Sequence, residues 1–265
     1  MNTPGNPNIN ALFQGAHDDG ELSAQSLQAL TINADIGAQI QAGLGIAPDD
    51  VPSAEVVLVT MMPDDSASIR FSGSTKAVRN GHNLVLDALL QTSQKGDILV
   101  HTRYLNGRVL FPYSKLADAV RMNSTNYNPN LGTPLYDQSA VVLGTVLAKA
   151  REFSDFGVPV RTVTLIITDG ADEHSKTQNV NTLRSIIEDM LSTETHIVAA
   201  MGIDNGCANF RDVFTKMGIP DEWILTPGNS AQEICTAFQI FSQSAVRASQ
   251  GAAAFSGVSL GGFSN

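Results

Sequence analysis

The sequence predicts an α/β fold: a doubly wound, mainly parallel sheet with one antiparallel edge strand and helices on both faces. Three observations predict it. Short, nearly continuous apolar runs at 56–61, 162–167 and 197–201 have strand length and suit strands buried on both faces. Segments with helical spacing separate them, and strands alternating with helices imply parallel pairing. Asn106-Gly107, between 98–105 and 109–111, is a tight hairpin turn that adds the antiparallel edge strand.

The elements follow in order. Residues 1–20 are rich in Asn, Gly and Pro and read as a mobile arm. Leu27, Leu30, Ile36, Ile40 and Leu44 have partly helical spacing, which Gly37, Gly43 and Gly45 weaken. Residues 1–52 are therefore expected to be an N-terminal arm with one helix at most. Pro52, after the Asp49-Asp50 turn, marks the start of a main domain over 53–247. A helix over 74–92 points Val78, Leu84, Val85, Ala88 and Leu89 inward. A second, over 134–153, is apolar through Val141, Val142, Val146 and Leu147 and should be well buried. Leu183, Ile186, Ile187, Met190 and Leu191 form a helical stripe, 208–217 a short helix, and 223–225 a last strand. Ser230 and Glu233 form a capping box that opens the final helix, with Ile234, Phe238 and Phe241 inward. Residues 248–265 are small, apolar or hydroxylic, with no charge after Arg247. They read as a tail that links or docks through Phe255 and Phe263, disordered in the isolated monomer and ordered in an assembly.

Composition bounds the function. The 265 residues suffice for one large α/β domain with extensions. No apolar run approaches the roughly 20 residues of a membrane span, and 1–10 lacks the basic and apolar regions of a secretory signal. Cys207 and Cys235 have no metal-ligand spacing and are expected to be reduced thiols in a cytoplasm. The net charge is −10, with 26 Asp and Glu against 16 Lys and Arg, which argues against nucleic acid or anionic lipid as partner. An acidic protein ligand remains compatible, because a bound divalent cation dominates its local field.

Three distant segments carry the chemistry: Asp64-Asp65-Ser66-Ala67-Ser68, Gly132-Thr133-Pro134-Leu135-Tyr136-Asp137 and Thr168-Asp169-Gly170. The first and third each follow a strand-like run, so Asp64 and Asp169 fall at the carboxyl ends of strands, where ligands bind in such sheets. Two carboxylates and three hydroxyls are hard oxygen donors, suited to a magnesium-like ion that takes about six oxygens. The bland readings are local. Asp64–Ser68 by itself also reads as a helix cap, and Thr133-Pro134 as an N-cap followed by Pro at the first helical position.

On these residues the chain, over roughly 54–243, resembles the von Willebrand factor A (vWA) domain, and the three segments resemble its metal-ion-dependent adhesion site (MIDAS). The resemblance implies a Rossmann-like fold. It also implies that Ser66 and Ser68 bind Mg²⁺, or Mn²⁺ or Ca²⁺, directly. Thr133 would bind directly or through water, Asp64 and Asp169 would touch the ion or hold its waters, and a partner's Asp or Glu would complete the shell. Met61-Met62-Pro63 lengthens the approach to Asp64.

His174 is expected at the solvated rim. Asp137 is expected to accept a hydrogen bond behind the site or to stabilise a helix N-terminus. There is no G-x-S-x-G elbow and no P-loop. The expected function is a non-enzymatic, metal-dependent protein-interaction domain. The alternative is a structural subunit of a cytoplasmic assembly, a homo-oligomer joined through arm and tail, whose metal site stabilises the fold or a self-contact.

Overall fold

The structure is a computed structural model that describes residues 8–32, 34–93, 95–206, 208–250 and 263. Six strands form one sheet: β1 (Val56–Met62), β2 (Ile98–Arg103), β3 (Val109–Lys115), β4 (Val160–Thr168), β5 (His196–Gly202) and β6 (Ile224–Leu225). Their order is β3-β2-β1-β4-β5-β6. All pairs are parallel except β2 with β3. This is the Rossmann-like α/β architecture expected from sequence, and the strand order reverses between β1 and β4. β1, β4 and β5 are buried along their whole length, which is why each reads as an apolar run.

Two helices cover one face: α5 (Thr75–Leu90) and α9 (Ala231–Ser249) pack on each other, and α9 packs on β1 and β4. Their approach is closest at Gly81, where an added Cβ would fall 2.0 Å from the Phe238 ring. Burial on α5 follows Val78, His82, Val85, Leu86 and Leu89, while Leu84 and Ala88 are only half-buried. α6 (Leu135–Asp155), α7 (Val180–Ser192) and α8 (Phe210–Lys216) cover the opposite face. α9 opens on the expected cap, with the Glu233 N–H donating to Ser230 Oγ at 3.2 Å.

The N-terminal region departs from expectation. Within 1–20, Ile9–Asp18 is a helix, α1, followed by α2 (Ala24–Thr31) and α3 (Ala34–Leu44). Ile9, Leu12, Phe13 and Ala16 are buried in the same apolar cluster as the strands. They repeat at i, i+3, i+4 and i+7, a helical stripe obscured by the surrounding Asn and Gly, and the Asn8 side chain caps the helix. Of the glycines expected to weaken α3, Gly43 and Gly45 instead permit close contact, while Gly37 faces open space. A Cβ on Gly43 would lie 2.6 Å from Thr145 Cγ2, and Gly45 (φ +58°) lies against the Tyr113 backbone. α1, α2 and α3 pack on α6, and α3 also on β3. α6 is thus enclosed on nearly all sides, which accounts for its apolar length and for buried Lys149, whose Nζ donates to the Ile46 carbonyl and pairs with Glu152 at 2.7 Å.

Arg103, at the end of β2, is 1% exposed and has no carboxylate partner among the described residues. Its guanidinium donates to the carbonyls of Gln39 (2.9 Å) and Gly107 (3.4 Å) and to Thr145 Oγ1 (3.4 Å). Burial lowers its pKa to about 10, so it stays charged at neutral pH and binds α3 to the hairpin turn.

Most of the tail, 251–262 and 264–265, including Phe255, lies outside the described residues. Phe263 does not, and in the single chain it packs on Trp223. No helix among the described residues is long and apolar enough to cross a membrane. Because Phe13 is 1% exposed, Phe13→Ala should reduce unfolding free energy by about 3–5 kcal/mol in urea titration. A mobile arm would give no change.

Candidate metal centre

β1 runs through Met62 and delivers Asp64 to the edge of the sheet, with the Pro63 carbonyl held by the Leu105 N–H at 3.0 Å. Asp64 is fully buried. Its Oδ1 accepts from the Ser66 N–H at 2.6 Å, and its Oδ2 accepts from Thr168 Oγ1 at 2.7 Å and the Asp169 N–H at 3.3 Å. The Tyr127 hydroxyl donates to its carbonyl. Both carboxylate oxygens of Asp64 are therefore occupied, and its part is to lock the end of β1 to the end of β4.

A short helix that sequence patterning did not reveal, α4 (Ala67–Phe71), starts directly after this turn. Ser66 takes its N-cap position, but the side chain makes no capping bond. It meets Ser68 Oγ at 2.8 Å instead, and Ser68 Oγ donates to Asp169 Oδ1 at 2.6 Å. Capping thus does not explain the serines. Asp169 Oδ2 is buried with no hydrogen-bond partner, and the Asp169 carbonyl accepts from Asn205 Nδ2 at 2.6 Å.

Thr133 corrects its own N-cap expectation. α6 begins at Leu135, with Pro134 at the cap position. The first amides of α6 are served across space: Tyr136 N–H donates to Asp172 Oδ1 at 3.0 Å and Asp137 N–H to Ser175 Oγ at 2.9 Å. Thr133 Oγ1 is therefore not engaged in capping, and an added Cβ on Gly170 would lie 3.7 Å from it.

Backbone contacts bring the three loops together. The Ala67 N–H donates to the Leu131 carbonyl at 2.9 Å, and the Asn130 and Leu131 amides to the Asp65 carbonyl at 3.0 and 3.2 Å. Asp137 accepts from the amides of Lys176, Thr177 and Gln178 at 2.8, 3.0 and 2.7 Å, which fixes the loop beyond Asp169. His174 is exposed, as expected of a rim residue, yet its Nδ1 accepts the Thr133 N–H at 3.0 Å. Ser66, Ser68, Thr133 and Asp169 line one depression of about 480 Å³, with Leu131, Glu173, His174 and Asn205 around it. Asp64 lies behind it.

The electrostatics follow from burial. Desolvation raises the pKa of Asp64. Burial raises Asp169 to about 6, with Asp64's charge adding to the shift and the Ser68 hydrogen bond opposing it. Asp65 is raised to about 7, again chiefly by burial. No group of three or more His, Cys, Asp or Glu among the described residues is placed to hold a metal. A cation here would rest on the Asp169 carboxylate and neutral hydroxyls, with the occupied Asp64 carboxylate behind them. That donor set fits a hard ion: it is all oxygen, it is converged, and it leaves Asp169 Oδ2 buried and unanswered.

Several residues of the centre escaped selection from sequence. Thr168 stands in the third segment but is a donor to Asp64, not a candidate ligand. Asp65 binds the hairpin through Asn106, whose N–H donates to its Oδ1 at 3.1 Å. Asn205, just past β5, had one available signal: it lies beyond the carboxyl end of the next strand. A larger depression, about 710 Å³, is elsewhere, lined by Glu55, Arg151, Arg161 and His196 near the amino ends of β1, β4 and β5. Its arginines are paired with Asp19, Glu21, Asp155 and Glu55.

No family model matches the chain, and no curated protein matches its sequence. Solved structures share its fold. One is the pilus adhesin SpaC of Lactobacillus rhamnosus GG, in an open conformation: 12% identity, TM-score 0.52, covering 73% of this chain and 30% of that one. Another is proximal thread matrix protein 1 from the mussel byssus: 16% identity, TM-score 0.50, covering 73% and 47%. This chain thus spans less than half the length of either.

A pH dependence follows. In metal-free protein the folded state keeps the Asp169 proton up to about pH 6, while the unfolded carboxylate releases it near its ordinary 3.8. The folded state binds more protons in that window, so this site loses stability as pH rises through it. With chelator, the melting temperature of Asp169→Asn should gain on wild type as pH rises from 4 to 7. An unchanged difference would contradict the assignment.

Proposed function

We propose that this chain is a non-enzymatic protein-interaction domain of the vWA type, which uses a divalent cation at a MIDAS-like site to bind an Asp or Glu of a partner protein. The observation that carries the reading is the run Ser66 Oγ, Ser68 Oγ, Asp169 Oδ1, linked at 2.8 and 2.6 Å, with Asp169 Oδ2 buried and unpartnered beside it. The position adds support: Asp64 and Asp169 follow β1 and β4, between which the strand order reverses, the usual place for ligands in such sheets. At 12% and 16% identity, the adhesin and matrix protein speak for the fold alone.

In this reading Ser66, Ser68 and Asp169 hold Mg²⁺, or Mn²⁺ or Ca²⁺, with Thr133 beside them. The bound ion supplies a Lewis-acidic point that accepts a partner carboxylate. Asp64 orients Ser66 through the backbone amide and fixes Thr168. The amide bonds to Asp137 hold the third loop in place, so little ordering remains when a ligand arrives. Leu131, half-exposed on the rim, and His174 are placed to contact the partner around its carboxylate. A cytoplasmic setting belongs to the same proposal and rests on the cysteines, of which Cys235 is a free thiol.

Magnesium or manganese should raise the melting temperature of the wild type, because an ion that binds only the folded state stabilises it by about 2.7 kcal/mol at 100 times Kd. Asp64→Ala and Asp169→Ala should abolish most of that shift in scanning calorimetry; a full response in both variants would place the ion elsewhere. Thr133→Ala should weaken capture of Glu-bearing peptides more than it weakens metal affinity, and Gln-substituted peptides should fail to bind. Peptide binding that survives chelator would remove the cation from the interface. Metal-dependent self-association without any need for a carboxylate would favour the structural-subunit alternative.

A further inference from the structure

β6 is the outermost strand of the sheet, two residues long, and hydrogen-bonds to β5 on one side. The Ile224 carbonyl accepts from Arg211 Nη2 at 3.4 Å. Just before it, the one-turn 3₁₀ helix Asp221–Trp223 turns the Glu222 carbonyl outward. The Phe263 N–H donates to that carbonyl at 3.0 Å. The Phe263 ring meets Trp223 edge-on, with centroids 5.0 Å apart and planes at 69°, a favoured aromatic geometry. Trp223 is buried, and Phe263 joins the main apolar cluster from its margin. Further along the same chain segment, Leu225 and Pro227 with Thr236, Ala237 and Ile240 of α9 line a mainly apolar depression of about 310 Å³.

We propose that the Glu222–Pro227 edge is a docking site for an extended, uncharged segment ending in an aromatic side chain, and that its occupant is this chain's own segment at Phe263. Three features select that occupant. The backbone bond to Glu222 and the aromatic contact with Trp223 come from one residue, so a main-chain bond holds the segment while the ring contact selects an aromatic side chain. Residues 256–262, Ser-Gly-Val-Ser-Leu-Gly-Gly, carry no charge, so the sequence leading to Phe263 brings no carboxylate to an acidic surface. Asp221 is paired with Arg211 at 2.5 Å, which leaves Glu222 and Glu233 as an acidic excess that disfavours an acidic peptide and separates this surface from the candidate metal centre in ligand chemistry.

Trp223 is the single tryptophan, so its emission reports on this surface alone. In the full chain, Phe263→Ala should red-shift the emission and raise acrylamide quenching, with the far-ultraviolet circular dichroism unchanged. A peptide of residues 256–265 added to the F263A chain should restore the wild-type emission saturably, and the same peptide carrying F263A should not. The wild-type emission should be independent of protein concentration. Identical emission and quenching in wild type and F263A would overturn the proposal, as would equal rescue by both peptides. Concentration-dependent emission in the wild type would also overturn it, by assigning the segment to a second copy.

Discussion

A buried carboxylate must find donors, and Asp64 finds them in the chain segments that carry the other candidate ligands. Ser66 supplies an amide from the first loop, and Thr168 and Asp169 supply a hydroxyl and an amide from the third. Losing any of them would leave part of a desolvated charge unanswered, which is costly in a low-dielectric interior. The geometry of the centre therefore follows from the needs of Asp64. β1 and β4 are adjacent and parallel, with Met62 opposite Ile166, so the two loops leave the sheet side by side. Their side chains then converge because one carboxylate requires both.

The same logic extends outward. Asp65 holds Asn106 at the hairpin turn, Gly107 accepts from Arg103, and Arg103 accepts nothing but donates to Gln39 in α3. A polar line thus runs from the N-terminal helices, through a buried guanidinium and the β2–β3 turn, to the loop that carries Ser66 and Ser68. Arg103 is solvated by carbonyls and a hydroxyl, so its position depends on those backbones staying where they are. The N-terminal helices are in this sense part of the scaffold of the centre, although none of their residues lines it.

Much of this was legible in the sequence where a pattern is local. The buried strands announced themselves as apolar runs, Asn106-Gly107 announced the hairpin, and Asp64, Ser66, Ser68, Thr133 and Asp169 stood in the three segments that the structure gathers. What escaped depends on distance. Asp137 and Asp172 lie where the sequence placed loop and helix start, but their partners are some 40 residues away, and no spacing rule reports a side chain that caps another segment. α4 is too short to show a period. α1 is hidden for a different reason: the Asn, Gly and Pro around it mask the helical period of Ile9, Leu12, Phe13 and Ala16, whose burial shows that the period governs.

The lid formed by α3 also bears on where this unit can be cut. A boundary drawn at Pro52 follows the turn residues, yet it would strip α6 of the helices whose Leu30 and Ile40 lie against Gly144, and would remove the Ile46 carbonyl that receives buried Lys149. A fragment beginning there would display an apolar helix face carrying an ammonium group with Glu152 as its remaining acceptor. For expression, fusion or domain exchange, the smallest self-sufficient piece of this chain accordingly starts ahead of Ile9, and a graft that keeps only the alternating strands and helices would inherit a sticky surface along α6.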